Sequence, residues 1–173
     1  MMRSIFTPLA CSLALLSSGL LSGCGFTPMH GATGATAPLA NVDIQLEKGT
    51  NVVSNQAGFF VTQRLNDRIG TQSADAPYVL KITPTYRRRR LGLSESDVAT
   101  RYDVTVSAGW VLLDSKTGDR LDRGSTSSIT TFNAPSGPYG VITADNVGVE
   151  QAAKETADKL IIQLARYFAS EKK

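Results

Sequence analysis

Only two cysteines occur in the 173 residues, Cys11 and Cys24, and both belong to an N-terminal apolar run or to its last position. Everything after Cys24 must therefore fold without an internal disulfide. The run has a positive start at Arg3 and an apolar middle from Leu9 to Leu21 (LACSLALLSSGLL). It is too short to span a hydrocarbon core and has the pattern of a cleaved export signal. An exported domain without disulfides depends on its own apolar core, and the roughly 130 residues that remain are enough for one domain to bury one.

Small residues stand directly before Cys24 in Leu21-Ser22-Gly23-Cys24, a stretch that resembles a bacterial lipoprotein signal. The resemblance implies cleavage before Cys24, a diacylglycerol on its sulfur and a further acyl chain on its amine. Residues 1–23 would be removed and the mature chain would start CGFTPMH. Several acyl chains hold firmly, because each buried CH2 contributes about 0.8 kcal/mol and one chain alone binds only marginally. Gly25 rather than Asp after the cysteine implies passage to the outer membrane, on its periplasmic side. Residues 24–40 then form the lipidated N-terminus and a linker, since Thr27 to Ala40 (TPMHGATGATAPLA) is small and flexible in composition. Its reach of about 20 Å keeps the domain close to the membrane.

From residue 41 to 170 the apolar periods switch between two and about four, as strands and helices of one domain require. Val42, Ile44 and Leu46 alternate with Asp43 and Gln45 in a half-buried strand. Ser54 is expected to cap a helix running to Ile69, with Ala57, Val61, Leu65 and Ile69 on its buried stripe and Gly70 as its stop. Tyr78, Leu80 and Ile82 begin a strand that runs on toward Tyr86. Pro84 lacks an amide hydrogen, which places this strand at an edge or marks a bulge. A longer strand carries Tyr102, Val104, Val106, Ala108, Trp110 and Leu112 on one face, with Asp103, Thr105 and Ser107 on the other. Asp114 to Asp119 (DSKTGD) reads as a hairpin turn with Gly118 at positive φ, and Arg120 to Phe132 returns as a Ser/Thr-rich strand. Asn133 to Gly140 (NAPSGPYG) is a loop by composition. Asp145 or Asn146 is expected to cap a last helix whose buried stripe is Val149, Ala153, Ala157, Leu160, Leu164 and Phe168. The expected fold is an α+β two-layer sandwich of order βαβββα, with two helices on one face of a mainly antiparallel four-stranded sheet.

The start CGFTPMH, the block ATRYDVTVSAGWVLLDSKTGDRL, the loop FNAPSGPYG and the amphipathic C-terminal helix together resemble the LPS-assembly lipoprotein family, LptE (also RlpB), in its alphaproteobacterial branch. The resemblance spans almost the whole mature chain. It implies a non-enzymatic role: a lipoprotein that sits as a plug inside the large β-barrel subunit LptD, helps that barrel assemble and contacts lipopolysaccharide on its way to the outer leaflet.

Arg87-Arg88-Arg89-Arg90, with Arg101 beyond the following loop, is the feature best suited to contact such a ligand. A guanidinium fork matches phosphate and carboxylate groups, which the inner region of a lipopolysaccharide presents. Successive strand side chains point to opposite faces, so Arg87 and Arg89 are separated from Arg88 and Arg90. A charged strand edge that resists aggregation is the structural alternative. Trp110 and Tyr102 belong to the apolar face and are expected in the core. Phe132, Pro138 and Tyr139, in and beside the Gly/Pro-rich loop, are candidates for contact with a partner.

Composition argues against several other functions. His30 is the only histidine and lies in the linker, and no cysteine remains in the domain, so neither a His-based triad nor a Cys/His zinc site is available there. Lys116-Thr117-Gly118 matches an element of penicillin-interacting enzymes, but the only Ser-x-x-Lys is Ser170 to Lys173 at the C-terminal end, so KTG is hairpin chemistry. No enzyme activity, metal or cofactor is expected beyond the lipid on Cys24. A net charge of +3 is too small for a general polyanion binder, and an exported protein meets little nucleic acid. The alternative role is an outer-membrane lipoprotein that binds another envelope protein or a glycan.

Overall fold

The computed structural model describes residues 37–70, 75–93, 99–133 and 137–171; the expected export signal, Cys24 and His30 lie outside them. A 3-10 turn at Ala37–Asn41 leads into β1 (Val42–Leu46), α1 (Val52–Ile69), β2 (Tyr78–Leu93), β3 (Ala99–Asp114), β4 (Arg120–Asn133) and α2 (Pro138–Glu171). The strands form one four-stranded sheet in the order β1-β2-β3-β4. β1 pairs with β2 in parallel, Val42 opposite Tyr78, whereas β2–β3 and β3–β4 are antiparallel. Parallel neighbours cannot be joined by a tight turn, so α1 makes the crossover between β1 and β2. The fold is thus the expected α+β arrangement, βαβββα.

Both helices pack on one face of the sheet. Leu80, Ile82, Val104, Val106, Ala108, Trp110 and Leu112, the alternate residues of β2 and β3, share a core with Ala57, Val61 and Leu65 of α1 and with Val149, Ala153, Ala157, Leu160 and Leu164 of α2. Each fully buried Leu or Val there contributes about 1.5–3 kcal/mol. Leu39 joins this core at 1% exposure, so the packed chain begins inside the segment read as linker. Leu46 departs from its alternation and is 41% exposed, because it ends the short edge strand and lies over Gly58 of α1. A Cβ at Gly58 would stand 2.7 Å from Pro84 Cγ and 2.8 Å from Leu46 Cδ1.

Local chemistry sets the element ends. Asn51, not Ser54, caps α1: its side chain accepts from the Ser54 amide at 2.8 Å. Ser54 is instead buried one turn in, where its hydroxyl accepts from the Tyr86 amide at 3.1 Å. Gly70 ends the helix at φ 94° and donates its N–H to Asn66 O. Asp114 begins the β3–β4 turn by accepting from the amides of Lys116 and Thr117 at 2.8 and 3.0 Å, and these donors hold its carboxyl below the usual range. Gly118 takes the expected positive φ, 74°.

β1 pairs only with Tyr78 to Ile82, so β2 becomes an edge at Pro84, where a missing N–H costs nothing. The last helix is longer than expected. It starts at Pro138, so Pro138, Tyr139 and Gly140 belong to α2 and not to a loop; a proline in the first helical position gives up an amide that no helix would have bonded. Asp145 is then inside the helix and caps nothing.

α2 is fixed to three strands by polar contacts. Near its start Asp145 accepts from Tyr86 Oη of β2 at 2.9 Å. In its middle Thr156 Oγ1 lies 3.1 Å from Val106 O of β3 and shares its one proton between that carbonyl and Ala152 O of its own helix, at 2.7 Å. Further on, Lys159 Nζ donates to Ser127 O and Gln163 Nε2 to Ser125 O on β4, at 2.8 and 3.4 Å. These last two bonds occupy carbonyls on the outer edge of the sheet, which otherwise invites pairing with another strand. The helices are joined to each other by Arg64 and Asp158, whose two N–H···O contacts are both 3.0 Å. No helix among the described residues is long and apolar enough to cross a membrane.

Candidate functional site

The face of the sheet away from the helices repeats in rows across β2, β3 and β4. One row is Thr85, Ser107 and Ser127; the next is Arg87, Thr105 and Ile129; then Arg89, Asp103 and Thr131; then Leu91, Arg101 and Asn133. Every member comes from the odd-numbered set that alternation turns away from the core. The rows decide what the arginine run becomes. Arg87, Arg89 and Arg101 gather on the open face, whereas Arg88 and Arg90 fall on the helix face.

On the helix face Arg88 is engaged by its own domain. Its Nη1 lies 3.7 Å from Asp145 Oδ2, and its guanidinium carbon sits 5.4 Å from the centroid of the Tyr102 ring. Tyr102 stacks on Phe132 at 5.5 Å between centroids, with 21° between planes. Tyr86 donates to the same Asp145 carboxylate, and its phenol is pushed up to about 12 by burial and by that carboxylate. Arg88 and Phe132 thus help to hold the start of α2 against the sheet. Arg90 stands opposite Tyr102 and is exposed.

The open face has a different character. A concavity of about 530 Å³ is lined by Thr85, Arg87, Arg89, Asp103, Thr105 and Ser107, with Ile129 at its side. Arg89 reaches Asp103 at 3.5 Å, and Asp103 also accepts from Thr131 Oγ1 at 2.6 Å. The Arg89 side chain is 72% exposed and that of Asp103 only 12%. Two guanidinium groups, a ring of hydroxyls and one carboxylate make a surface able to bind a phosphorylated or acidic polar group. Tyr139, near the start of α2, is 84% exposed and Pro138 beside it is also exposed, so of the three aromatic and proline candidates these two are accessible while Phe132 is half-buried.

Asp103 and Asp145 complete the two arginine environments, and sequence reasoning assigned neither of them that place. Asp103 read as one polar member of an alternating strand, and Asp145 as a helix cap. Only the cross-strand register, Arg89 opposite Asp103 opposite Thr131, brings the first set together.

The fold recurs in solved lipoproteins. A candidate lipoprotein from Caulobacter crescentus matches with a TM-score of 0.65 and 28% identity, over 80% of this chain and 98% of its own. Rare lipoprotein B from Shewanella oneidensis matches with a TM-score of 0.58 and 12% identity, over 76% and 98%. A minor lipoprotein from Acinetobacter baumannii follows at 0.54 and 11%, over 72% and 90%. No curated protein matches the chain. The model of the LptE family, described as lipopolysaccharide-assembly, matches residues 39–169, a span that opens at buried Leu39 and closes just past Phe168 of the core, and by that match this chain belongs to the LptE family.

Proposed function

We propose that this lipopolysaccharide-assembly lipoprotein is held at the periplasmic side of the outer membrane by lipid on Cys24, plugs an LptD-type β-barrel and assists its assembly. It contacts lipopolysaccharide through Arg87, Arg89 and Arg101. Its role is binding and assembly, without catalysis. The supporting observation is the composition of the open sheet face. Thr85, Thr105, Ser107, Ser125, Ser127 and Thr131 present hydroxyls over its middle, with Arg87, Arg89 and Arg101 toward one end and Lys81 and Arg123 toward the other. The inside of a large outer-membrane barrel is polar and hydrated, so such a face can be enclosed there without the cost of burying charge in hydrocarbon. The guanidinium groups at the first end supply bidentate donors for the phosphates of a lipopolysaccharide.

Photo-crosslinkers placed at Thr105, Ser107 and Tyr139 test the plug. In cells these positions are expected to capture a large outer-membrane β-barrel protein, while Val104 and Leu160, both fully buried, capture nothing. Absence of a barrel adduct from all three surface positions, with the protein running as a monomer after gentle solubilisation, overturns the plug role.

A further inference from the structure

We propose that Asp103 is an internal counter-anion for the open-face concavity, and that an anionic ligand binds there by taking Arg89 over from it. The inference rests on the reading that this concavity receives the phosphates of lipopolysaccharide. The two partners of the Arg89–Asp103 pair are held very differently. Asp103 is fixed by a 2.6 Å hydrogen bond from Thr131 across the β3–β4 pairing, and its side chain is 12% exposed. Arg89 is 72% exposed and approaches no nearer than 3.5 Å, longer than the 2.7–2.9 Å of a charge-assisted hydrogen bond. By contrast the Arg64–Asp158 pair closes at 3.0 Å on both of its N–H···O contacts.

The carboxylate is therefore a fixed charge and the guanidinium a movable one. Arg89 keeps most of its five donors unused by Asp103. It is drawn toward the concavity by the carboxylate, yet can rotate onto a phosphate without breaking a short bond. The cost is electrostatic. A phosphate that enters meets the attraction of Arg87 and Arg89 less the repulsion of Asp103, which lies in the same lining and is only weakly screened because it is shielded from solvent. Asp103 thus sets the affinity below what the arginines alone would give, which favours release in a protein that hands its ligand on.

The test is binding of phosphorylated lipid A, with dephosphorylated lipid A as control, to the full-length protein in detergent. Asp103→Asn keeps an acceptor for Thr131 and removes the charge. It is expected to tighten binding of phosphorylated lipid A by about two- to fivefold, the range of an exposed charge pair, and to leave the dephosphorylated form unchanged. Adding Arg89→Gln should reduce that gain to the part that comes from relief of repulsion at Arg87. Unchanged or weaker binding by a folded Asp103→Asn protein overturns the proposal, as does a gain that Arg89→Gln leaves undiminished. If Asp103→Asn does not fold, Asp103→Thr, which suits a strand beside Thr105, takes its place with the same expected gain. If Arg87→Gln and Arg89→Gln leave wild-type binding unaltered, the site assignment itself fails and the exchange falls with it.

Discussion

Gly124 stands opposite Trp110 across the β3–β4 pairing, and a Cβ there would lie 2.6 Å from Cζ2 and 2.8 Å from Cε2 of the indole. The ring cannot move aside, since it is 4% exposed and its Nε1 donates to Gln163 at 2.9 Å. Gly124→Ala is therefore expected to destabilise the domain by about 1–3 kcal/mol, the usual cost of overfilling a packed site. Denaturant unfolding followed by the fluorescence of the single tryptophan measures it, and an unchanged midpoint refutes it. Burial of Trp110 was legible in the alternation of β3. Its neighbours were not, because Gly124 and Gln163 reach it only through a strand register and a helix position that local sequence does not encode. The arginines divide the same way. Parity along the strand separates Arg87 and Arg89 from Arg88 and Arg90, but Asp103 and Asp145, the partners of Arg89 and Arg88, come from other elements.

α2 shows what composition misreads at the level of an element. Gly137, Pro138 and Gly140 have the composition of a loop, yet proline is at home in a first helical turn. Tyr86 and Arg88 then hold the early part of the helix at Asp145. Ser54 was misread as a cap for a similar reason: a hydroxyl near a helix start can satisfy an amide of its own helix or one from elsewhere, and Ser54 takes the Tyr86 amide. Tyr86 makes this testable by pH. Its folded pKa, about 12, lies above the ordinary value of 10.0. The stability it contributes is therefore complete below pH 10 and lost as pH rises toward 12. Unfolding free energy should fall more steeply between pH 9 and pH 12 in the wild type than in Tyr86→Phe. Equal slopes would mean that the Tyr86–Asp145 bond contributes nothing to holding α2.

At the scale of the whole molecule the layer order was legible, because periods of two and four residues alternate cleanly and a single apolar face needs covering. The residues before Ala37 carry an expectation of another kind. Cys24→Ser should abolish acylation and leave the protein unprocessed or soluble, so incorporation of labelled palmitate should fall to background; equal labelling of wild type and variant refutes lipidation at Cys24. The contacts of α2 bear on how the domain behaves as a body. From Asp145 to Gln163 the helix axis covers about 27 Å, while β2 and β4 are separated by only about 10 Å. A rod that touches β2 at one point, β3 at the next and β4 at the last crosses the strands obliquely, as a diagonal brace crosses a frame. Sliding one strand along another would change the length between those points, and a helix changes length only by breaking its own hydrogen bonds. The diagonal therefore opposes the sliding of one strand along another.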